Sequence, residues 1–258
     1  INRLTCVLLV YYTQSKIMRE EGMFMFGIYY YYRNLILLAV VPAIILLVKV
    51  YQKDKVEKES PKMLVTLIMC GIFSAFPALL VEMAGDWVLQ NFLSENSLVY
   101  HLITCMIIVA YAEEGSKYIM LKLRTWKSIE FNCLYDGMLY AVYISLGFAV
   151  LENISYSIGY GWGTALIRAV TAVPGHACFG VFMGVFYGFA KQYERIGRKD
   201  LSRRYRKFAV VVSAFIHGCY DLILSVELPT IAFYTYTIAM FVLAFRLLRK
   251  MSDMDRYI

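Results

Sequence analysis

The chain has 258 residues, of which 60% are hydrophobic and only 17% charged, with a net charge of +7 and a mean hydropathy of +0.58. A soluble domain carries about a quarter charged residues, so this composition argues for a membrane protein. The excess Lys and Arg lie in short loops without the interleaved aromatics that base stacking uses, which argues against nucleic acid as a partner. The six cysteines (Cys6, Cys70, Cys105, Cys133, Cys178, Cys219) stand singly with no CxxC, and signal neither a disulfide framework nor a cysteine metal site.

Residues 1–12 are apolar but too short to span a bilayer, and 13–22 are polar. The run Arg19-Glu20-Glu21-Gly22 is what a purine-rich ribosome-binding site encodes when read in frame, with Met23 and Met25 just beyond. The expectation is that 1–25 is an extension outside the working protein and that 26–258 form a single membrane domain. A cleaved signal peptide is the alternative, though no small-residue cleavage site stands out. Tyr29 to Tyr32 suit an interfacial aromatic belt.

Apolar runs then recur at about 34–51, 63–83, 98–121, 133–157, 164–190, 207–226 and 229–248, each near the roughly 20 residues that a spanning helix takes. The predicted fold is all-α, a polytopic transmembrane helix bundle of about seven spans. Loops alternate in charge. Lys49, Lys53, Lys55, Lys58 and Lys62 flank the first connection, whereas the next, with Glu82, Asp86 and Glu95, has no Lys or Arg. The third, with Lys122, Arg124 and Lys127, is basic, and 153–163 lacks basic residues again. Lys191 to Lys207 form the longest basic loop, and Arg246, Arg249 and Lys250 the tail. This alternation puts the basic loops and the C-terminus in the cytoplasm.

Ionisable side chains deep in a span are costly and mark functional sites by default. The third span holds Glu113, Glu114 and Lys117; the fourth Glu152 and Asn153; the fifth His176; the sixth His217 and Asp221. Counted from the inner basic residues, Glu114 and His217 lie roughly 12–15 Å deep and His176 and Glu152 roughly 20 Å. Side chains from four distant stretches therefore share one band of the bilayer. His176, Gly180, Gly184 and Gly188 recur every fourth residue, a small-residue stripe that lets helix backbones approach. Ser213, His217, Asp221 and Ser225 make a second stripe, in which Asp221 can orient the His217 ring.

On the third span Lys117 reaches Glu113 at i+4 and Glu114 at i+3, so one lysine neutralises one carboxylate and leaves the other over. A glutamate so placed can act as general base on water and then as general acid to a leaving amine. His176 and His217 can hold an oxyanion or, with a glutamate, a metal. No HExxH helix is present, so zinc stays open alongside a metal-free glutamate mechanism, and no cofactor is specified. Arg168 is expected to snorkel at the outer end of its span, and Asp136 to cap the start of the fourth.

At these residues the sequence resembles the PrsW family of bacterial intramembrane proteases. The likeness rests on Glu113-Glu114-x-x-Lys117, Gly147-Phe148-x-x-x-Glu152-Asn153, Pro174-Gly175-His176, His217-x-x-x-Asp221 and the loop Asp54-Lys55-x-Glu57-Lys58-Glu59. It is more distantly similar in motif style to CAAX prenyl endopeptidases, from which Lys117 sets it apart. The resemblance implies a multi-pass protein of the bacterial cell membrane that performs site-1 cleavage of a single-span anti-sigma factor, releasing a stress-response sigma factor. It makes Glu113, Glu114 and His176 the leading catalytic candidates, with Glu152 and His217 beside them and Lys117, Asn153 and Asp221 in support. Two other classes use the same residues differently. A proton-coupled transporter predicts internal repeats, which are not seen, and a non-catalytic scaffold or immunity-type protein tolerates loss of Glu113 and His176.

Overall fold

The structure is a computed structural model that describes residues 3–226 and 228–258, with side chains from residue 25 onward. The expectation about residues 1–25 falls almost wholly on side chains outside that set. The helices are α1 (Arg3–Lys53), α2 (Pro61–Gln90), α3 (Leu98–Ile103), α4 (Ala110–Thr125), α5 (Asp136–Val170), α6 (Ala172–Arg195), α7 (Lys199–Ser225) and α8 (Thr230–Asp253). A π-helical turn, Thr104–Val109, joins α3 to α4. Inside a bilayer a helix is the one open-ended structure that satisfies its own backbone. The long apolar runs accordingly become helices, and the described residues contain no strand beyond an isolated bridge between Cys133 and Tyr257.

Among the described residues, six helical segments are long and apolar enough to cross a membrane, not the seven expected. The fourth and fifth expected spans are limbs of one 60-residue apolar stretch, Asp136–Arg195. Its first helix bends at Gly161, where φ is 77°, a conformation that glycine adopts without strain. Tyr31 of α1 packs edge-on against Trp162 beside that bend, and the neighbouring Tyr29 and Tyr32 are exposed, as an interfacial belt would be.

The two limbs form the centre of the bundle. Residues 138–149 of α5 are buried throughout, and α6 is buried along most of its length. By contrast α2 and α8 turn Phe73, Phe76, Leu80, Ile231 and Phe245 outward, as lipid-facing helices do. The glycine stripe read from the sequence is the seam between the limbs. Gly180 lies against Val142, Gly184 against Met138 and Gly188 against Leu134, so the limbs run antiparallel at backbone contact. On the other side of α5, Gly147 meets Ile68 and Gly71 of α2 meets Ile144.

At the end with the basic loops, Ser60 Oγ accepts from the Met63 amide at 3.2 Å and Pro61 opens α2, a favourable helix start. Asp136 does not cap α5 as expected. Its Oδ2 accepts from the Asn132 and Cys133 amides at 3.0 and 2.6 Å, so it closes the turn before the helix. The cysteines described are free, as small packing residues.

A methyl group at Gly180 would stand 2.8 Å from Val142 Cα and 3.0 Å from the Ala141 carbonyl oxygen, both backbone atoms that cannot swing away. Gly180→Ala is therefore expected to destabilise the detergent-solubilised protein by about 1–3 kcal/mol. Gly159→Ala, whose Cβ meets nothing within 4 Å, leaves thermal unfolding unchanged. Circular dichroism melts of the two variants make the comparison.

Candidate active site

The site is built outward from one lysine. The π-helical turn lies directly before α4, and Gly218 of α7 packs on its Met106 and Cys105, which brings α7 against the start of α4. Such turns often occur at functional sites. About two turns into α4, the Lys117 ammonium donates to Glu113 Oε2 at 2.9 Å and Glu114 Oε1 at 2.8 Å. The lysine is shared, rather than committed to one carboxylate as the spacing suggested. It also lies 3.8 Å above the centre of the Phe148 ring and 3.3 Å from His176 Nδ1. Glu114 and Lys117 are wholly inaccessible, so each charge depends on the others for solvation.

Glu114 is held from three sides. Besides Lys117, Ser213 Oγ donates to its Oε2 at 2.6 Å and His217 Nδ1 meets its Oε1 at 3.1 Å. His217 Nε2 lies 3.2 Å from Asp221 Oδ2 and 3.9 Å from Glu113 Oε2. Asp221 thus orients the ring as the i,i+4 spacing predicted. A carboxylate oxygen faces each ring nitrogen, which a ring carrying two protons satisfies. His176 differs. Its Nε2 donates to Glu152 Oε2 at 2.6 Å, while its Nδ1 accepts from Lys117, the pattern of a neutral ring. Phe179 stacks on His217 at 4.4 Å, and the two imidazoles are 5.6 Å apart.

All five catalytic candidates therefore converge. Glu152 lies inside the group, at the depth its position in the span implies. Arg168, expected to snorkel, instead turns inward. Its Nη2 pairs with Glu152 Oε1 at 2.9 Å, its Nε donates to Asn153 Oδ1 at 2.8 Å, and it stacks over Tyr156. A half-buried glutamate at membrane depth needs a counter-charge, and the bend at Gly161 folds Arg168 back to supply it. Sequence reasoning also missed Glu82, which was assigned to a loop because α2 was ended too early. Ser213 was noted in the polar stripe but given no role at the site.

A cavity of about 800 Å³ opens onto this network. Glu113, Glu152, His176, His217 and Asp221 line it, together with Glu82 and Arg168, while Glu114, Lys117 and Asn153 lie behind the wall. Apolar side chains including Phe76, Leu79, Phe148 and Phe233 complete it. Among the described residues, two sets of possible metal ligands have donor atoms within 4.8 Å of one another: Glu113 with Glu152 and His176, and Glu113 with Glu114 and His217. The two histidines do not share a set, contrary to the two-histidine zinc grouping considered from sequence. Glu113 belongs to both.

Residues 59–247 match the PrsW family intramembrane metalloprotease model. Protease PrsW of Halalkalibacterium halodurans is 34% identical over 191 residues, covering 74% of this chain and 83% of the relative. Protease PrsW of Bacillus subtilis is 32% identical over 186 residues, covering 72% and 80%, and that of Clostridioides difficile is 29% identical over 200 residues, covering 75% and 80%. No solved structure matches the chain. The molecule is a multi-pass bacterial membrane peptidase. It belongs to the PrsW family of intramembrane metalloproteases.

Removing one partner from a buried ion group costs about 3–5 kcal/mol because the remaining charge stays desolvated. Lys117→Met is expected to lose that much stability, measured by thermal unfolding in detergent. Adding Glu113→Gln and Glu114→Gln to Lys117→Met removes the stranded charges and recovers most of the loss.

Proposed function

We propose that this chain hydrolyses a peptide bond in a single-span membrane protein, with Glu113 as general base and then general acid. Glu113 takes a proton from water as the water oxygen bonds to the scissile carbonyl carbon. It returns that proton to the amide nitrogen as the C–N bond breaks. The observation that carries this reading is the position of Glu113, the member of the glutamate pair on the cavity wall and common to both ligand sets. Glu114, enclosed by Lys117, Ser213 and His217, positions rather than reacts.

Charge developing on the carbonyl oxygen is answered by His217. Its Nε2 faces Asp221, the most exposed of its three carboxylate neighbours, and substrate oxygen can take that acceptor's place. Arg168 and His176 hold Glu152 from opposite sides and keep its carboxylate at the cavity edge. The family description implies a metal, and the donors suit one, since each set joins two carboxylates to an imidazole with ligand atoms within 4.8 Å of one another. Glu113 with Glu152 and His176, or with Glu114 and His217, would hold it, and it would polarise the carbonyl and lower the pKa of a bound water.

The working unit in this reading is 26–258, one membrane domain that contains every residue named. By the resemblance carried in its motifs, the substrate is an anti-sigma factor, cut at site 1 to release a stress-response sigma factor.

In proteoliposomes containing a single-span anti-sigma factor, Glu113→Gln is expected to lower the cleavage rate by about 10²–10⁴-fold while the protein still folds. Cleavage products are read by mass spectrometry, with metal content measured on the same samples. Full activity in Glu113→Gln rejects the assignment of the base. Cleavage of other single-span proteins but not of an anti-sigma factor rejects the substrate alone.

A further inference from the structure

Three of the four carboxylates that line the cavity have a basic partner. Glu113 pairs with Lys117, Glu152 with Arg168 and His176, and Asp221 with His217. Glu82 of α2 lines the same cavity and has none among the described residues. Its Oε1 is buried and without a hydrogen-bond partner.

The helix holds Glu82 to this wall. Ala78, Glu82 and Gly85 recur at i, i+4 and i+7 and so share one face of α2. Ala78 is buried in a cluster with Ala112, the neighbour of Glu113, and with Phe148, whose ring lies against Lys117. Gly85 packs directly on Ile108 of the π-helical turn. Glu82 is therefore anchored on both sides by contacts with the elements that build the site, and it cannot turn toward lipid without breaking them.

The cations nearby are already engaged. Lys117 has three donors and three neighbours to receive them, Glu113, Glu114 and His176. Arg168 serves Glu152 and Asn153. A carboxylate at membrane depth takes a partner or faces a polar cavity, and Glu82 has only the cavity. Ala75, Phe76 and Leu79 of the same helix add an apolar wall beside it. Such a wall suits the methylene stem of a long basic side chain whose charged head reaches a carboxylate.

We propose that Glu82 is a specificity-determining residue that accepts the cationic head of a substrate Lys or Arg close to the scissile bond. This rests on the peptidase reading and narrows it. The substrate class becomes a single-span protein with a basic residue beside the cleaved bond, a placement that lipid makes rare and therefore selective.

The test uses the full chain in detergent micelles and labelled single-span peptides of a Leu-Ala host. Each peptide carries one Lys, Gln or Glu, moved through successive positions of the span. Binding is read by fluorescence polarisation and cleavage by mass spectrometry. At one position or two neighbouring ones, the Lys peptide is expected to bind about 10–100-fold tighter than the Gln peptide, the range of a hydrogen bond to a charged group. Glu82→Gln brings that ratio close to one, and Glu82→Lys reverses the preference in favour of the Glu peptide. A purely structural glutamate would not produce the reversal, and Glu82→Gln is the milder change should Glu82→Lys fail to fold. Equal binding of the Lys and Gln peptides at every position, or a ratio that Glu82→Gln leaves unchanged, overturns the proposal. Cleavage that persists in Glu113→Gln with the Lys preference intact rejects the assignment of the base and supports that of Glu82.

Discussion

Everything at the centre of this protein depends on keeping a lysine charged where no water reaches it. Lys117 is fully buried and remains there because two carboxylates, an imidazole nitrogen and an aromatic face surround its ammonium. Desolvating an ion costs several kcal/mol, and excellent geometry with every remaining hydrogen bond made is needed to offset it. The helices that supply this shell, α4, α5 and α6, are thereby fixed against one another by charge as well as by packing, and α7 joins them through the Ser213 and His217 contacts to Glu114. The same shell turns Glu113 toward the cavity and confines Glu114 behind it, which gives two adjacent carboxylates different access.

Much of this arrangement was legible in the chain because a bilayer makes polar residues conspicuous. Glu113, Glu114, Glu152, His176 and His217 are expensive in lipid, so their presence in apolar runs already marked them, and all five meet. The His176–Gly188 stripe gave the α5–α6 seam correctly, since small residues at every fourth position have one straightforward use. The i,i+4 pairing of His217 with Asp221 is likewise local and readable.

What stayed hidden depends on where the chain turns. Arg168 was expected to snorkel because it lies near the outer end of its expected span. The bend at Gly161 turns it back onto Glu152 instead, within the one apolar stretch that holds both expected spans. Glu82 was placed in a loop because Asp86 and the polar residues after it suggested an earlier end to α2, whereas the helix runs on to Gln90. Asp136 looked like a helix cap by position, but its carboxylate faces the preceding turn. The sharing of Lys117 by both glutamates, and the placement of the histidines in different ligand sets, are three-dimensional facts that spacing does not contain.

The glycine seam has a mechanical consequence. Backbones in direct contact have no side-chain layer to compress or slide, so α5 and α6 behave as a rigid keel. Any change in the width of the cavity must therefore fall on its outer walls. Phe76 and Leu79 of α2 and Phe233 of α8 form those walls, and their helices present broad faces to the lipid. The cavity is thus closed on its adjustable side by lipid-facing helices, which couples its width to the surrounding bilayer.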